Sequence, residues 1–334
     1  MEPNLFADVL FTTPLVDLGE HEHPSFAGVM TPAPEKGVER LGASVEFLEN
    51  AEEYYERFQQ YEYWKGLLET AIASAPVGDV RTIVEYGCGF GNATLPALEL
   101  FPDAKIVASD ISPNLLAILN RLLVERNEQD RCVAVAFDAH KPYLREGVAD
   151  LVLGSAILHH LVEPDHLITA TSRVLRPGGL AVFFEPMEAG YAVLRLVIRD
   201  ICQEAAIREF ASPALTWLAE LAADWLNQIT RDGSDVWRAR DDKWLFSRSV
   251  LERYAEQAGL DLILKREEPQ KSMLDSMADQ LRLMLKSWKG LDPDDVSLIP
   301  AWTWDIVRRY DREFFSPAMK EDLPFAATVM FRKR

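Results

Sequence analysis

The chain has 334 residues, 48% of them hydrophobic and 26% charged, which suffices for a sizeable soluble core. Acidic residues exceed basic ones by 53 to 35, a net charge of −18, so nucleic acid and anionic membrane surfaces are poor partners. Three cysteines (Cys88, Cys132, Cys202) without CxxC or zinc spacing read as unpaired thiols, and no window approaches the roughly 18 apolar residues of a membrane span.

The opening "MEPNLFADVL" lacks the basic start and apolar run of a secretory signal, which points to a cytoplasmic protein. Residues 1–40 hold several prolines and glycines and predict an irregular arm. His21 and His23 lie in it without a partner cluster, so they read as a solvated loop and no metal is expected. From about Val45 to Ala73 the pattern predicts one helix carrying Tyr54, Tyr55, Phe58, Tyr61, Tyr63 and Trp64. These rings are too many for one face; the helix packs on the main domain, or some rings close over a ligand.

From Arg81 the rhythm becomes strand, loop, helix. "RTIVEYG", "KIVASD", "CVAVAFD", "ADLVLGSA" and "LAVFFEP" read as strands, the last entered through a "PGG" turn. "NATLPALELFP", "SPNLLAILNRLLVERN" and "PDHLITATSRVL" read as helices, with Ser112 as N-cap and Pro113 at the first helical position of the second. This alternation implies βαβ units and an α/β fold with a doubly wound, Rossmann-like sheet. After Pro186 two helical stripes follow, Leu194/Val197/Ile198/Ile201 and Leu215/Leu218/Ala222/Trp225/Ile229. The sheet rhythm resumes with the helix "SRSVLERYAEQAG" and the strand "LDLILKRE". A third stripe (Met273, Met277, Leu281, Met284, Trp288) precedes the last strand, "FAATVMFRKR". The expected partition is an arm and aromatic helix over 1–78, a core over 79–189, 246–268 and 324–334, and helical cap insertions at 190–245 and 269–323.

The stretch "VEYGCGFGNAT" turns the first core strand into its helix, where doubly wound sheets bind ligands. Its glycines let a ligand lie against the backbone, and the following helix start offers N–H groups to an anion. Dinucleotides and S-adenosylmethionine both fit such a turn. The spacing here is GxGxG through Gly87, Gly89 and Gly91, not GxGxxG, and Asn92 stands where the dinucleotide fingerprint has its third glycine. Glu85, just before the first glycine, favours a cationic ammonium and would repel a pyrophosphate. Asp110 ends the second strand, where it can accept from both ribose hydroxyls, with Ile111 as an apolar wall. Asp138 ends the third, where it can accept from an adenine amino group.

These runs together resemble class I S-adenosylmethionine-dependent methyltransferases, closest to the small-molecule and quinone-biosynthesis branch. The match covers about Arg81 to Pro186, and more loosely the final helix and two strands. The resemblance implies S-adenosyl-L-methionine as cofactor and a seven-stranded sheet with its last strand antiparallel. It also implies that Gly87 and Gly89 line the methionine moiety, Asp110 holds the ribose, and Asp138 with Ala139 meets the adenine. Ser155 would offer its carbonyl to the ammonium.

Methyl transfer from a sulfonium is an in-line displacement, so alignment does most of the work and a base is needed only if the acceptor must lose a proton. The catalytic candidates are Glu185, at a strand carboxyl end, and His159; His160, Glu188 and Tyr191 are further possibilities on the same side. Of the adjacent histidines one is expected to face the pocket and the other to diverge. The inserted helices are expected to make a largely apolar acceptor pocket for a small molecule. A nicotinamide-dependent oxidoreductase and a non-catalytic adenosylmethionine-binding protein are the alternatives, and the sequence carries no signal for oligomeric state.

Overall fold

A computed structural model describes residues 5–32, 50–141, 143–266, 299–310 and 322–334, together with 278, 281, 282 and 285. Its sheet contains β1 (Val16–Asp17), β2 (Met30–Thr31), β3 (Thr82–Tyr86), β4 (Lys105–Asp110), β5 (Cys132–Ala136), β6 (Ala149–Ser155), β7 (Leu175–Pro186), β8 (Leu260–Arg266) and β9 (Ala326–Lys333). The order across it is β1-β2-β5-β4-β3-β6-β7-β9-β8. The chain therefore winds one way from β3 through β4 to β5, and the other way from β3 to β6 and β7. β3 is the switch point, the place where such sheets present their ligand crevice.

The central strands are runs of Val, Ile, Leu and Ala buried on both faces, as parallel strands covered by helices must be. β3 pairs in parallel with β4 and β6, so the carboxyl ends of all three lie together. The "PGG" turn expected before β7 is instead a bulge within it: Ala149 pairs with Leu175 but Leu151 with Leu180.

Besides two single turns at Leu5–Asp8 and Leu18–His21, the helices of this part of the chain are α1 (Ala51–Phe58), α2 (Tyr61–Ser74), α3 (Thr94–Leu100), α4 (Pro113–Arg126), α5 (Pro164–Val174) and, later, Arg248–Ala258. Ser112 caps α4 by accepting from Leu115 N, and Pro113 opens it. The chain divides into two compact units, the first made of Met1–Glu185, Arg248–Lys265 and Thr328–Arg334.

Three further expectations change. The sheet has nine strands where the resemblance implied seven. Residues 1–40 are not wholly irregular, because β1 and β2 pair antiparallel and β2 joins the sheet edge in parallel at Met30↔Val135. Asp17 holds that corner, accepting from Gly19 N at 2.7 Å and Gly28 N at 3.0 Å. His23 caps a 3-10 turn through Ser25 N, and His21 and His23 are exposed. The single helix expected over Val45–Ala73 is two helices broken at Gln59–Gln60; residues 45–49 lie outside the described residues.

The second unit comprises Pro186–Ser247 and Arg266–Ala327. Its helices α6 (Glu188–Ile207) and α7 (Pro213–Thr230) bury the stripes seen in the sequence. Leu194, Val197, Ile198, Ile201, Leu215, Leu218 and Trp225 share one core with Leu281, Ile306 and Tyr310. Of the third stripe, Met273, Met277, Met284 and Trp288 lie outside the described residues.

Candidate active site

The loop between β3 and α3 takes a shape that only glycine adopts without strain, with φ of +64° at Gly87, +52° at Gly89 and +99° at Gly91. The three glycines differ in what crowds them. A Cβ at Gly87 would lie 2.6 Å from Ile157 Cδ1, and one at Gly91 would lie 2.6 Å from Leu119 Cδ1. At Gly89 the nearest atom would be Leu115 Cδ1, at 3.9 Å. Gly87 is thus demanded by the protein's own packing, Gly91 meets the movable tip of Leu119, and Gly89 is the least crowded of the three.

The loop's N–H groups are less available than expected. Cys88 N donates to Ser109 O, Gly91 N to Cys88 O, and Gly89 N to Asp110 Oδ2 at 2.8 Å. Asp110 also accepts from Ser112 N through Oδ1 at 2.8 Å, so its carboxylate ties the loop after β3 to the start of α4. Burial pushes the Asp110 carboxyl above its ordinary pKa, against the pull of these N–H groups.

Glu85 is fully buried on β3. Thr94 Oγ1 donates to it at 2.6 Å and Ser155 Oγ approaches at 3.5 Å. Burial drives its pKa up from 4.5 to about 7; the hydroxyls oppose this and the Asp110 charge adds to it. Two acids thus repel each other at the switch point, Glu85 held by hydroxyls and Asp110 by N–H groups, with no cation bonded to Glu85 among the described residues. Such a pair suits a ligand that brings its own positive charge.

Asp138 lies two residues past β5 and is partly exposed. Its Oδ1 accepts from both the backbone and the ring Nδ1 of His140, at 2.9 and 2.8 Å. Burial works upward on this carboxyl, but the His140 contacts outweigh it and hold the pKa below its ordinary value. Ile111, Ala139 and Ser155 are partly exposed at the same strand ends.

Beyond Ser155 the chain passes through Ala156, a non-glycine residue at φ +58°, into a 3-10 turn over Leu158–His160. Glu185 organises that turn. Oε1 accepts from Ile157 N at 3.1 Å and Leu158 N at 2.8 Å; Oε2 meets His159 N at 3.2 Å and His159 Nδ1 at 2.7 Å. The carboxylate is 1% exposed as a residue and has about four acceptor positions, all engaged by the protein. The Glu185 carboxylate is thus turned onto residues 157–159, whereas the sequence led one to expect it to face an acceptor. The adjacent histidines do not diverge either, since their rings pack at 4.1 Å between centroids.

Thr94 and His140 were not singled out from the sequence, and Asn92 only as a mark of the glycine spacing. Asn92 directly follows Gly91 and Thr94 lies two residues further on, so nearness to the glycines was the available signal; His140 follows Asp138 by the two-residue spacing at which an Asp side chain meets the backbone ahead.

The switch-point loop, the acids at successive strand ends and the doubly wound sheet define a class I S-adenosylmethionine-dependent methyltransferase. Residues 84–183 match the family model described as a methyltransferase domain. Among known proteins, the chain is similar to a trans-aconitate 2-methyltransferase of Azoarcus sp. (strain BH72), 26% identical over 57% of this chain and 72% of that protein. A second, from Methylobacterium radiotolerans, is 27% identical over 60% of this chain and 76% of its own length. A malonyl-[acyl-carrier protein] O-methyltransferase of Hahella chejuensis is 30% identical over 33% and 38% respectively. The fold is also that of phosphoethanolamine N-methyltransferase 2 of Haemonchus contortus, at 15% identity and TM-score 0.50, covering 91% of this chain and 62% of that one. S-adenosyl-L-methionine is the cofactor, and the uncompensated Glu85–Asp110 pair beside Gly89 fits a ligand carrying both a cationic centre and ribose hydroxyls.

Proposed function

We propose that the enzyme methylates a small, largely apolar acceptor, with Gly89, Glu85, Asp110, Ile111, Asp138, Ala139 and Ser155 around the cofactor and His159 on the acceptor side. The cofactor supplies a methyl group on a sulfonium, which leaves S-adenosylhomocysteine after in-line displacement. The observation that carries the site assignment is the buried Glu85 and part-buried Asp110 beside the least crowded glycine of the loop, Gly89. Asp110 retains acceptor capacity beyond the backbone N–H groups of Gly89, Ile111 and Ser112, which supports ribose binding. Asp138, fixed by His140, is set to accept from the adenine edge. Glu185 Oε2 meets the His159 ring at Nδ1, and that contact fixes the orientation of the imidazole.

The second unit, with its apolar core, is the proposed source of acceptor specificity, since the methyltransferase-domain match ends at residue 183. The relatives named for trans-aconitate and malonyl-[acyl-carrier protein] make carboxylic acids the competing acceptor class, and preferred turnover of a highly charged acid would count against an apolar acceptor. A cytoplasmic location accords with the three free cysteines. No helix among the described residues is long and apolar enough to cross a membrane.

Titration calorimetry with S-adenosylhomocysteine and NAD, followed by turnover of S-adenosylmethionine on a panel of small acids, thiols and amines, tests this reading. Binding of NAD in preference, or cofactor binding without turnover on any acceptor, would count against it.

A further inference from the structure

The break between α1 and α2 is held by a residue of the glycine loop. Asn92 Oδ1 accepts the Gln60 N–H at 3.2 Å, and Asn92 Nδ2 donates to Phe58 O at 3.1 Å. Helix ends leave backbone groups without partners inside the helix, and here one side chain serves the end of α1 and the approach to α2. Two residues earlier, Phe90 stands between the positive-φ Gly89 and Gly91. Its ring meets Tyr55 edge-on at 5.0 Å and Tyr54 at 6.0 Å. Leu115 and Ile118 of α4 complete that cluster. Arg121, also on α4, pairs with both carboxylate oxygens of Glu52 at 2.7 and 3.1 Å; the pair is exposed and adds little.

α1 thus touches both elements that Asp110 joins: the loop presenting Gly89 and the helix begun by Ser112. We propose that Asn92 is a positioning residue for the cofactor site. By pinning the α1–α2 break to the loop, it lets α1 clamp the loop and α4 in the relative placement that cofactor binding needs. The inference rests on the cofactor site proposed above. It adds that the N-terminal helices set cofactor affinity through Asn92 and Phe90, and it explains why a side chain with one donor and one acceptor follows the third glycine.

The test uses the full chain with Asn92→Leu, which keeps the size and removes both hydrogen bonds, Tyr55→Leu, and the double variant. S-adenosylhomocysteine affinity is measured by calorimetry well below the melting temperature of each protein, with circular dichroism as a check on folding. Each single variant is expected to raise Kd about fivefold or more, through the two hydrogen bonds lost in Asn92→Leu and the edge-on ring contact with Phe90 lost in Tyr55→Leu. The double variant is expected to raise it less than the product of the two, because either change frees the same helix. In turnover, KM for S-adenosylmethionine should rise more than kcat falls. Folded variants that bind as the wild type does, even with lowered melting temperatures, would overturn the proposal and leave Asn92 a purely structural residue. A wild-type protein that fails to bind S-adenosylhomocysteine would overturn the cofactor site itself, and this inference with it.

Discussion

Glu185 Oε2 and His159 Nδ1 lie 2.7 Å apart, and the same carboxylate gathers the backbone N–H groups of residues 157, 158 and 159. One buried acid at the end of β7 therefore shapes the turn that follows β6 and orients the imidazole on it. Ile157, whose N–H it holds, is also the residue that crowds Gly87. The acid, the turn and the glycine loop form one connected structure.

That connection separates the effects of two substitutions. His159→Gln should lower turnover by about 10²-fold or more if the ring assists proton removal, while S-adenosylhomocysteine affinity stays within about threefold. Glu185→Gln should lower turnover and the melting temperature together, because an amide NH₂ would face groups that donate. Initial rates, binding and thermal melting on both variants decide the matter. Loss of cofactor affinity in parallel with turnover in His159→Gln would show that the ring belongs to the cofactor side or to the fold.

Asp110→Ala should show two signatures. Removing acceptors for ribose should weaken S-adenosylhomocysteine about 10- to 1,000-fold, given roughly 1.5–3 kcal/mol for each charge-assisted bond. It also orphans Gly89 N and Ser112 N, so the melting temperature should fall, in contrast to a residue that meets only ligand. Unchanged affinity in the folded variant would put the ribose elsewhere.

Much of this site was legible in the sequence because its signals are local. The β-branched runs before Gly87 and Asp110, the GxGxG spacing and the Ser112–Pro113 cap each lie within a few residues. What was not legible depends on distant partners. β1 and β2 have two residues each, too few for periodicity, and their placement depends on Asp17 and on the edge of β5. The interruption at Gln59–Gln60 depends on Asn92, more than thirty residues away. Glu185 looked like an open strand-end acid because nothing local reveals that the turn after β6 comes back to it.

Glu85 gives a pH dependence with a definite sign. Its folded pKa, about 7, lies above the unfolded 4.5, so between these values the folded state binds the proton more tightly. Stability should therefore fall as pH rises from 4.5 to 7, by about 3 kcal/mol in all, and the penalty should level off above that window. Glu85→Gln should remove this slope and be the more stable protein at pH 8 in the absence of cofactor. Denaturant melts of both proteins across pH 4.5–8 measure it. Parallel curves would mean that the Glu85 carboxyl does not titrate in that range.

The glycines offer the sharpest separation of packing from ligand space. All three adopt positive φ, so an added side chain costs about 1–2 kcal/mol at any of them. At Gly87 the new Cβ would also strike Ile157 at Cδ1 and Cβ, adding an overpacking cost of about 1–3 kcal/mol. At Gly91 it meets the tip of Leu119, which can move, and at Gly89 it meets nothing closer than 3.9 Å. Melting temperatures of the alanine variants should therefore fall in the order Gly87, Gly91, Gly89, with Gly87→Ala the lowest. Binding should follow a different order. Gly89→Val projects two methyl groups into the open face of the loop and should weaken S-adenosylhomocysteine more than tenfold, at least about 1.4 kcal/mol. A folded Gly89→Val that binds like the wild type would show that the space beside this glycine is not where the ligand lies.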